Sequence, residues 1–247
     1  MGKLAGRIAV VTGASRGIGK ACCIRMMEDG VEGLAMIARN QASLEKLKEE
    51  LGGGDNILCI ECDVSSLEQV EAAFAKIYEH FGRVDILVNN AGVTRDAMFH
   101  KMSLEQWNDV MNIDLNSVFY CTRQVFQSMR QQKYGKIVNL SSTSAFGNIG
   151  QTNYAAAKAA IQGFTRTLAR EGGRNNITVN AVLPCFIETD IMSTIPADLQ
   201  EANKKSIPMQ RWGAPSELAA VVSFLSSDDS SYLSGQSIIV NGGALTL

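Results

Sequence analysis

Seven short apolar runs punctuate this chain, and most are separated by a segment long enough to hold a helix. The runs are Ile8–Val11, Gly33–Ala38, Ile57–Ile60, Asp85–Val88, Lys136–Leu140, Ile177–Val182 and Ser237–Val240. Between them, helical patterns cover Gly17–Asp29, Gln41–Leu51, Ser66–Phe81, Ser103–Gln131 in one or two segments, Asn153–Glu171 and Pro215–Leu225. Pro215 stands where helix starts favour proline. The runs are near-continuous in apolar residues, so neither face of most of these strands is built for water. Strands joined by helical crossovers pair in parallel, and parallel sheets are covered on both faces. The expected architecture is therefore α/β: a doubly wound parallel sheet of about seven strands with helices on both faces. No linker, repeat or shift in composition interrupts the 247 residues, so one domain is expected to span 1–247.

Several function classes lose support at once. The net charge is −2 and no basic run interleaves with aromatic residues, which gives no field for nucleic acid. No apolar stretch approaches the roughly 20 residues that span a bilayer. Met1–Arg7 lacks the apolar core of a signal peptide, so a cytoplasmic protein is expected. Of the six cysteines, Cys59 and Cys62 form a C-x-x-C, but on a strand rather than at a helix start, and no second pair completes a zinc site. His80 and His100 stand alone in the sequence. No metal is expected.

The first strand runs into Thr12-Gly13-Ala14-Ser15-Arg16-Gly17-Ile18-Gly19. In this setting a glycine-rich turn lets backbone approach a dinucleotide pyrophosphate, and the following helix offers its free N–H groups and positive dipole end. The fold class thus sharpens to a Rossmann-type sheet, with Gly13, Ser15, Arg16, Gly17, Ile18 and Gly19 as cofactor contacts. The second strand ends in Arg39 rather than in the acid that usually binds a ribose 2′-hydroxyl. Two cations, Arg39 and Arg16, and no acid favour a 2′-phosphate, hence NADP(H); the alternative is an Arg39 that only faces solvent. Asp63-Val64 and Asn89-Asn90-Ala91-Gly92 close the third and fourth strands, at the edge where such sheets bind ligands.

Tyr154 and Lys158 share one face of a helix, separated by three alanines. An ammonium beside a phenol favours phenolate and lowers a pKa that is otherwise about 10. Ser141 and Ser142 precede Tyr154 at the end of an apolar strand, where a hydroxyl can orient a carbonyl. Taken alone, the pair also fits a surface tyrosine and lysine on an alanine-rich helix.

TGxxxGxG at Thr12–Gly19, Asp63-Val64, NNAG at Asn89–Gly92, serine at the fifth strand end, YxxxK at Tyr154–Lys158 and Ile187-Glu188-Thr189-Asp190 occur in order over essentially the whole chain. This set resembles the short-chain dehydrogenase/reductase family. Within it, Gly150–Lys158 and Gly235–Gly243 are most similar to 3-oxoacyl-ACP reductases, with acetoacetyl-CoA reductases close behind. The resemblance implies Tyr154 as general acid in carbonyl reduction, with Lys158 lowering its pKa and binding the nicotinamide ribose. It implies a serine holding the substrate oxygen, Asn89, Ala91 and Gly92 against the cofactor, Asp63 and Val64 at the adenine, and Thr189 and the backbone near Ile187 at the nicotinamide carboxamide. It also implies fatty acid biosynthesis and a homotetramer.

Three positions depart from the family pattern. The usual gap to the tyrosine gives Ser141 as the catalytic serine, whereas alignment by the strand end gives Ser142. The second is preferred, because strand register fixes side-chain direction while loops absorb deletions. The family's catalytic Asn in the long helix is replaced by Asp114, in a stripe of Trp107, Val110, Met111, Val118, Cys121 and Val125. A buried acid needs a partner, so Asp114 is expected to take the relay position and meet Lys158; the alternative is a partly solvated acid. Asn112 and Asn116 point elsewhere by helix geometry. Pro184-Cys185 replaces the usual Pro-Gly, which makes Cys185 the thiol to watch.

Residues 185–213 read as an irregular substrate lid with Met192, Ile195, Leu199, Ile207 and Met209, apolar enough for an acyl chain or a hydrophobic ketone. Lys204 and Lys205 suit a carrier's phosphate or plain solvation. The long helix, the Tyr154 helix, the last strand and Ala244–Leu247 are candidate subunit contacts. Two rivals stand beside a carrier-linked carbonyl substrate: a hydrophobic secondary alcohol or hydroxysteroid, and a non-catalytic dinucleotide sensor, which would have no need of the serine, tyrosine and lysine together.

Overall fold

In the computed structural model, which describes residues 2–189 and 197–245, the seven apolar runs form one all-parallel sheet in the order β3-β2-β1-β4-β5-β6-β7. The strands are β1 Ile8–Thr12, β2 Gly33–Ala38, β3 Ile57–Glu61, β4 Ile86–Asn89, β5 Gly135–Leu140, β6 Ile177–Pro184 and β7 Ser237–Val240. Every residue of β1, β2, β4, β5 and β6 is buried. That is why these strands read as continuous apolar runs.

Successive strand residues feed opposite cores. Ala9, Val11, Leu34 and Met36 pack under helices α1 (Gly17–Glu28) and α8 (Pro215–Ser226), against Met26, Leu218 and Val222. Val10, Ala35 and Ile37 face the other way, toward α3 (Leu67–Phe81) and α5 (Ser117–Gln132), against Phe74, Ile77, Val125 and Met129. Fully burying a side chain of this size is worth about 1.5–3 kcal/mol.

The remaining helices are α2 (Gln41–Glu50), α4 (Leu104–Val110), α6 (Thr152–Gly172) and α7 (Ala197–Ser206). Local chemistry sets the starts of several. The Asn40 side chain accepts from Ser43 N at 2.8 Å, and Ser103 and Gln106 form a capping box at α4. The expected long helix is broken between α4 and α5 by a wider turn over Met111–Asn116, a π-type insertion of the kind that gathers at functional sites.

The lid segment differs from expectation. Residues 197–206 are helical rather than irregular. Ala, Leu, Gln, Glu and Lys favour helix, and Pro196 in the sequence precedes the start; the apolar residues around them masked that pattern. The excursion is closed at its base by a bridge between Ile187 and Gly213, with Glu188 N donating to Gly213 O and Gly213 N to Phe186 O. Asp190, Met192 and Ile195 of the lid, and Thr246 and Leu247 of the suggested subunit contact, lie outside the described residues.

The chain winds outward from β1 to β3, then returns to β4 and winds the other way to β7. The order reverses between β1 and β4, and the crevice outside their C-terminal ends is where such folds bind ligands.

Candidate active site

A cavity of about 500 Å³ occupies this crevice. Its floor is the turn after β1. Gly13 has φ +65°, and a Cβ there would lie 2.9 Å from Ala91 Cα. A Cβ on Gly19 would lie 2.2 Å from Gly13 O, so Gly19 serves close packing of α1 and does not line the cavity. Asn90 Nδ2 donates to Thr12 O at 2.9 Å and to Gly13 O at 3.2 Å, while Thr12 Oγ1 accepts from Asn90 N and Ala91 N. The ends of β1 and β4 are thus clamped together. The start of α1 carries no side-chain cap and no acid in its first turn. Its N–H groups are left for an anion, so the residues present fit a dinucleotide pyrophosphate.

At one end the cavity is lined by Arg16, Arg39, Asn40, Ser43, Asp63 and Val64. Both arginines are exposed, and neither is ion-paired among the described residues. Asp63 turns to its own loop, accepting from Ser65 N and Oγ. Ser15, Ile18, Gly17 and Thr189 lie along the wall.

One expected contact sits elsewhere. Asn89 belongs to β4 and is 3 % exposed; its Nδ2 donates to Thr122 Oγ1 and Asn139 Oδ1, so it braces strands and helix behind the cavity, while its neighbour Asn90 faces the ligand space. The strand extends one residue further than its apolar run indicates, which turns the first Asn inward. The Ile187 side chain packs against Gly213, which leaves only its backbone for the expected contact. Cys185 is half-buried beside Pro184, which does line the cavity.

The other end holds the chemistry. Lys158 is buried; its Nζ donates to Leu140 O at 2.9 Å, lies 3.0 Å from Asp114 Oδ1, and is 5.4 Å from the centroid of the Tyr154 ring. Asp114 is wholly buried, which rules out the partly solvated acid, and its Oδ2 accepts from Val93 N at 3.0 Å. Asn112 and Asn116 bond each other on the outer face. Gly92 makes room for the carboxylate: a Cβ there would stand 2.6 Å from Asp114 Oδ1. The two serines diverge. Ser141 lines the cavity, but its Oγ donates to Lys158 O at 2.7 Å and serves the α6 backbone; Ser142 Oγ accepts from Ser144 N, and its hydroxyl acts on the Tyr154 phenol, lowering its pKa. Asn153, which the sequence reading passed over, is fully buried. Its Nδ2 donates to Arg95 O and Gln106 O while its Oδ1 accepts from Tyr154 N, pinning the helix start that carries the phenol.

Burial lowers the affinity of Lys158 for its proton, but Asp114 and Tyr154 outweigh it and hold the ammonium above its ordinary value. Burial raises the Asp114 carboxyl, against the pull of Lys158 and the Val93 N–H. The Tyr154 phenol is raised as well: burial is the largest influence, Lys158 and the Ser142 hydroxyl lower it, and Asp114 and Asp96 raise it. Lys158 thus lowers the phenol as expected, but only moderates the rise that burial causes. The C-x-x-C thiols are poor thiolates, since burial pushes Cys59 and Cys62 each up to about 11.

An all-parallel sheet with this reversal point, an uncapped glycine turn and a tyrosine–lysine pair at one cavity end define a nucleotide-dependent oxidoreductase. The chain belongs to the short-chain dehydrogenase/reductase family: residues 13–245 match the family described as enoyl-(acyl carrier protein) reductase. It is thus an NAD(P)-dependent oxidoreductase. It is 44% identical to an acetoacetyl-CoA reductase of Shinella zoogloeoides over 96% of this chain and 98% of the relative. It is also 44% identical to the 3-oxoacyl-[acyl-carrier-protein] reductase FabG of Pseudomonas aeruginosa, over 97% of this chain and 98% of the relative. The FabG of Thermotoga maritima is 42% identical over 98% of each chain. No helix among the described residues is long and apolar enough to cross a membrane.

Proposed function

We propose that this protein reduces 3-oxoacyl thioesters, carried on acyl carrier protein or coenzyme A, to 3-hydroxyacyl products at the expense of NADPH. The observation that carries the reading is the Tyr154–Lys158 pair lining one end of a cavity of about 500 Å³, with the Ser142 hydroxyl acting on the phenol. The names of relatives similar over nearly the full chain support the substrate class. When bound, the reduced nicotinamide supplies the hydride that goes to the carbonyl carbon. Ser142 and Tyr154 hold the carbonyl oxygen between two hydroxyls, and the phenol, still protonated, gives its proton to that oxygen as the hydride arrives. Lys158 carries the positive charge that steadies the phenolate left behind and reaches the nicotinamide ribose. Asp114 takes the relay place behind it.

Apolar side chains beside the cavity suit an acyl chain. Ala97 N donates to Gly150 O at 2.9 Å, joining two loops that expose Met98, Phe99, Phe146 and Ile149 next to the Tyr154 helix. Residues 185–213 serve as the substrate lid. Exposed Leu104 and Phe119 and the half-buried edge strand β7 are surfaces for a homotetramer acting in the cytoplasm, with the acyl-carrier substrate placing it in fatty acid biosynthesis.

Assay of acetoacetyl-CoA and a 3-oxoacyl carrier thioester tests this directly. Turnover confined to hydroxysteroids or other hydrophobic secondary alcohols would replace the substrate assignment. Arg16 and Arg39 support NADPH: each charge-assisted contact to a 2′-phosphate is worth about 1.5–3 kcal/mol. Arg39→Ala should therefore lower kcat/KM for NADPH by roughly 10- to 100-fold and leave NADH nearly unchanged. Equal kcat/KM for the two cofactors in the unaltered protein would overturn the preference.

The serines make a paired test. Ser142→Ala removes a hydroxyl from the reacting oxygen and should lower kcat by about 10²–10³-fold. Ser141→Ala loses only the bond to Lys158 O and should keep kcat near that of the unaltered protein. The reverse outcome would make Ser141 the catalytic serine.

A further inference from the structure

Asp114 is a full negative charge placed where the chemistry of a tyrosine acid does not need one. Three features hold it there. Val93 N donates to Oδ2 at 3.0 Å, Gly92 leaves the space beside Oδ1 empty of side chain, and the wide turn at Met111–Asn116 carries it on the buried face of the long helix. Its other contact is Lys158 Nζ at 3.0 Å, and that lysine is the nearest cation to the phenol.

The charged groups around the phenol are few. Lys158 faces Tyr154 from its own helix, Asp114 from the wide turn and Asp96 from the loop after β4. Asp114 itself is faced by Lys158 and, more distantly, by Arg95, which is paired with Asp109 at 3.2 Å. A lone ammonium beside a phenol stabilises phenolate; an ammonium with a carboxylate 3.0 Å behind it presents a dipole, and its pull is much reduced. With an amide in place of Asp114, the same lysine would act as a free buried cation.

We propose that Asp114 is a positioning residue that sets the working pH range of the reaction, neutralising Lys158 so that Tyr154 keeps its proton well above neutrality. This rests on Tyr154 as the general acid. Burial of the phenol acts in the same sense, with Lys158 opposing both. Since the overall equilibrium lies outside the enzyme's control, the fall of reduction at high pH and the rise of oxidation with pH report the same group and move together.

The test compares Asp114→Asn with the unaltered protein. In pH profiles of kcat/KM for acetoacetyl-CoA reduction by NADPH, the alkaline limb should move down by about one unit or more, and the rising limb of 3-hydroxybutyryl-CoA oxidation should move with it. A uniform drop in rate with unmoved limbs would show a merely structural role and overturn the proposal. Independently of any substrate, the ultraviolet titration of tyrosine ionisation near 295 nm, minus that of Tyr154→Phe, reads the phenol directly. Tyr154 should stay un-ionised to at least about pH 10, the ordinary value, and should ionise earlier in Asp114→Asn. Ionisation of Tyr154 below that value in the unaltered protein would overturn the proposal even if Asp114→Asn failed to fold. A protein that reduces no 3-oxoacyl thioester yet shows the titration shift would retain this inference and lose the substrate assignment.

Discussion

Tyr154→Phe should lower kcat for carbonyl reduction by about 10²–10⁴-fold, the span removed with a general acid, while leaving folding and cofactor binding almost intact. The substitution deletes one oxygen. The neighbouring Ser142 hydroxyl, which acts on that oxygen, retains its bond to Ser144 N. The ring stays against Lys158, and Asn153 still anchors the helix start. NADPH binding, followed by its fluorescence, and the unfolding midpoint should therefore change little. A variant that keeps more than a tenth of the original kcat would remove Tyr154 from the chemistry.

Lys158→Met should do two things that the tyrosine variant does not. It should abolish reduction, and it should destabilise the protein by about 3–5 kcal/mol, the usual consequence of breaking a buried ion pair from one side. Asp114 would be left wholly buried, with Val93 N as its remaining close donor. The sign of the pH dependence follows. Without the ammonium, burial outweighs the Val93 N–H and the more distant Arg95 and raises the carboxyl pKa in the folded state further above the unfolded value of about 3.9. The folded protein then binds the extra proton, so stability lost by the substitution should be partly regained as pH falls and should be poorest above neutrality. In the unaltered protein the raised Lys158 contributes stability that is fully present below the ordinary lysine value and is lost as pH rises through its folded value. The double variant Lys158→Met with Asp114→Leu exchanges the pair for apolar side chains. It should recover most of the stability and none of the activity. Urea unfolding at several pH values, beside kcat, checks both parts; a single variant as stable as the parent would mean that Asp114 is not held as a charge.

The legible parts of the molecule are those that local chemistry dictates. The strand runs were readable because a parallel strand buried on both faces is apolar at most positions, as β1 is over Ile8–Val11. The glycine turn was readable because Gly13 needs positive φ and the absence of a Cβ, and no other residue meets both demands. Tyr154 and Lys158 were readable because helical spacing puts them on one face. Other details were not legible to the same degree. Asn89 and Asn90 are adjacent and identical, and which of them meets the cavity turns on where β4 stops, a matter of one ladder hydrogen bond. The helix at Ala197–Ser206 was hidden by apolar neighbours.

From sequence alone came the order of elements, the direction of the sheet, the nucleotide turn and the spacing that pairs a phenol with an ammonium. These are properties of residues near one another in the chain, where periodicity and backbone preference act. Only the tertiary structure decided the rest: that Ser141 Oγ is tied to Lys158 O, and that Asp114, expected to meet Lys158, does so at 3.0 Å in a space left by Gly92. Those groups are brought together by sheet register and helix docking. Their charges interact strongly because packing has removed water from between them, and no local pattern in the chain encodes that exclusion.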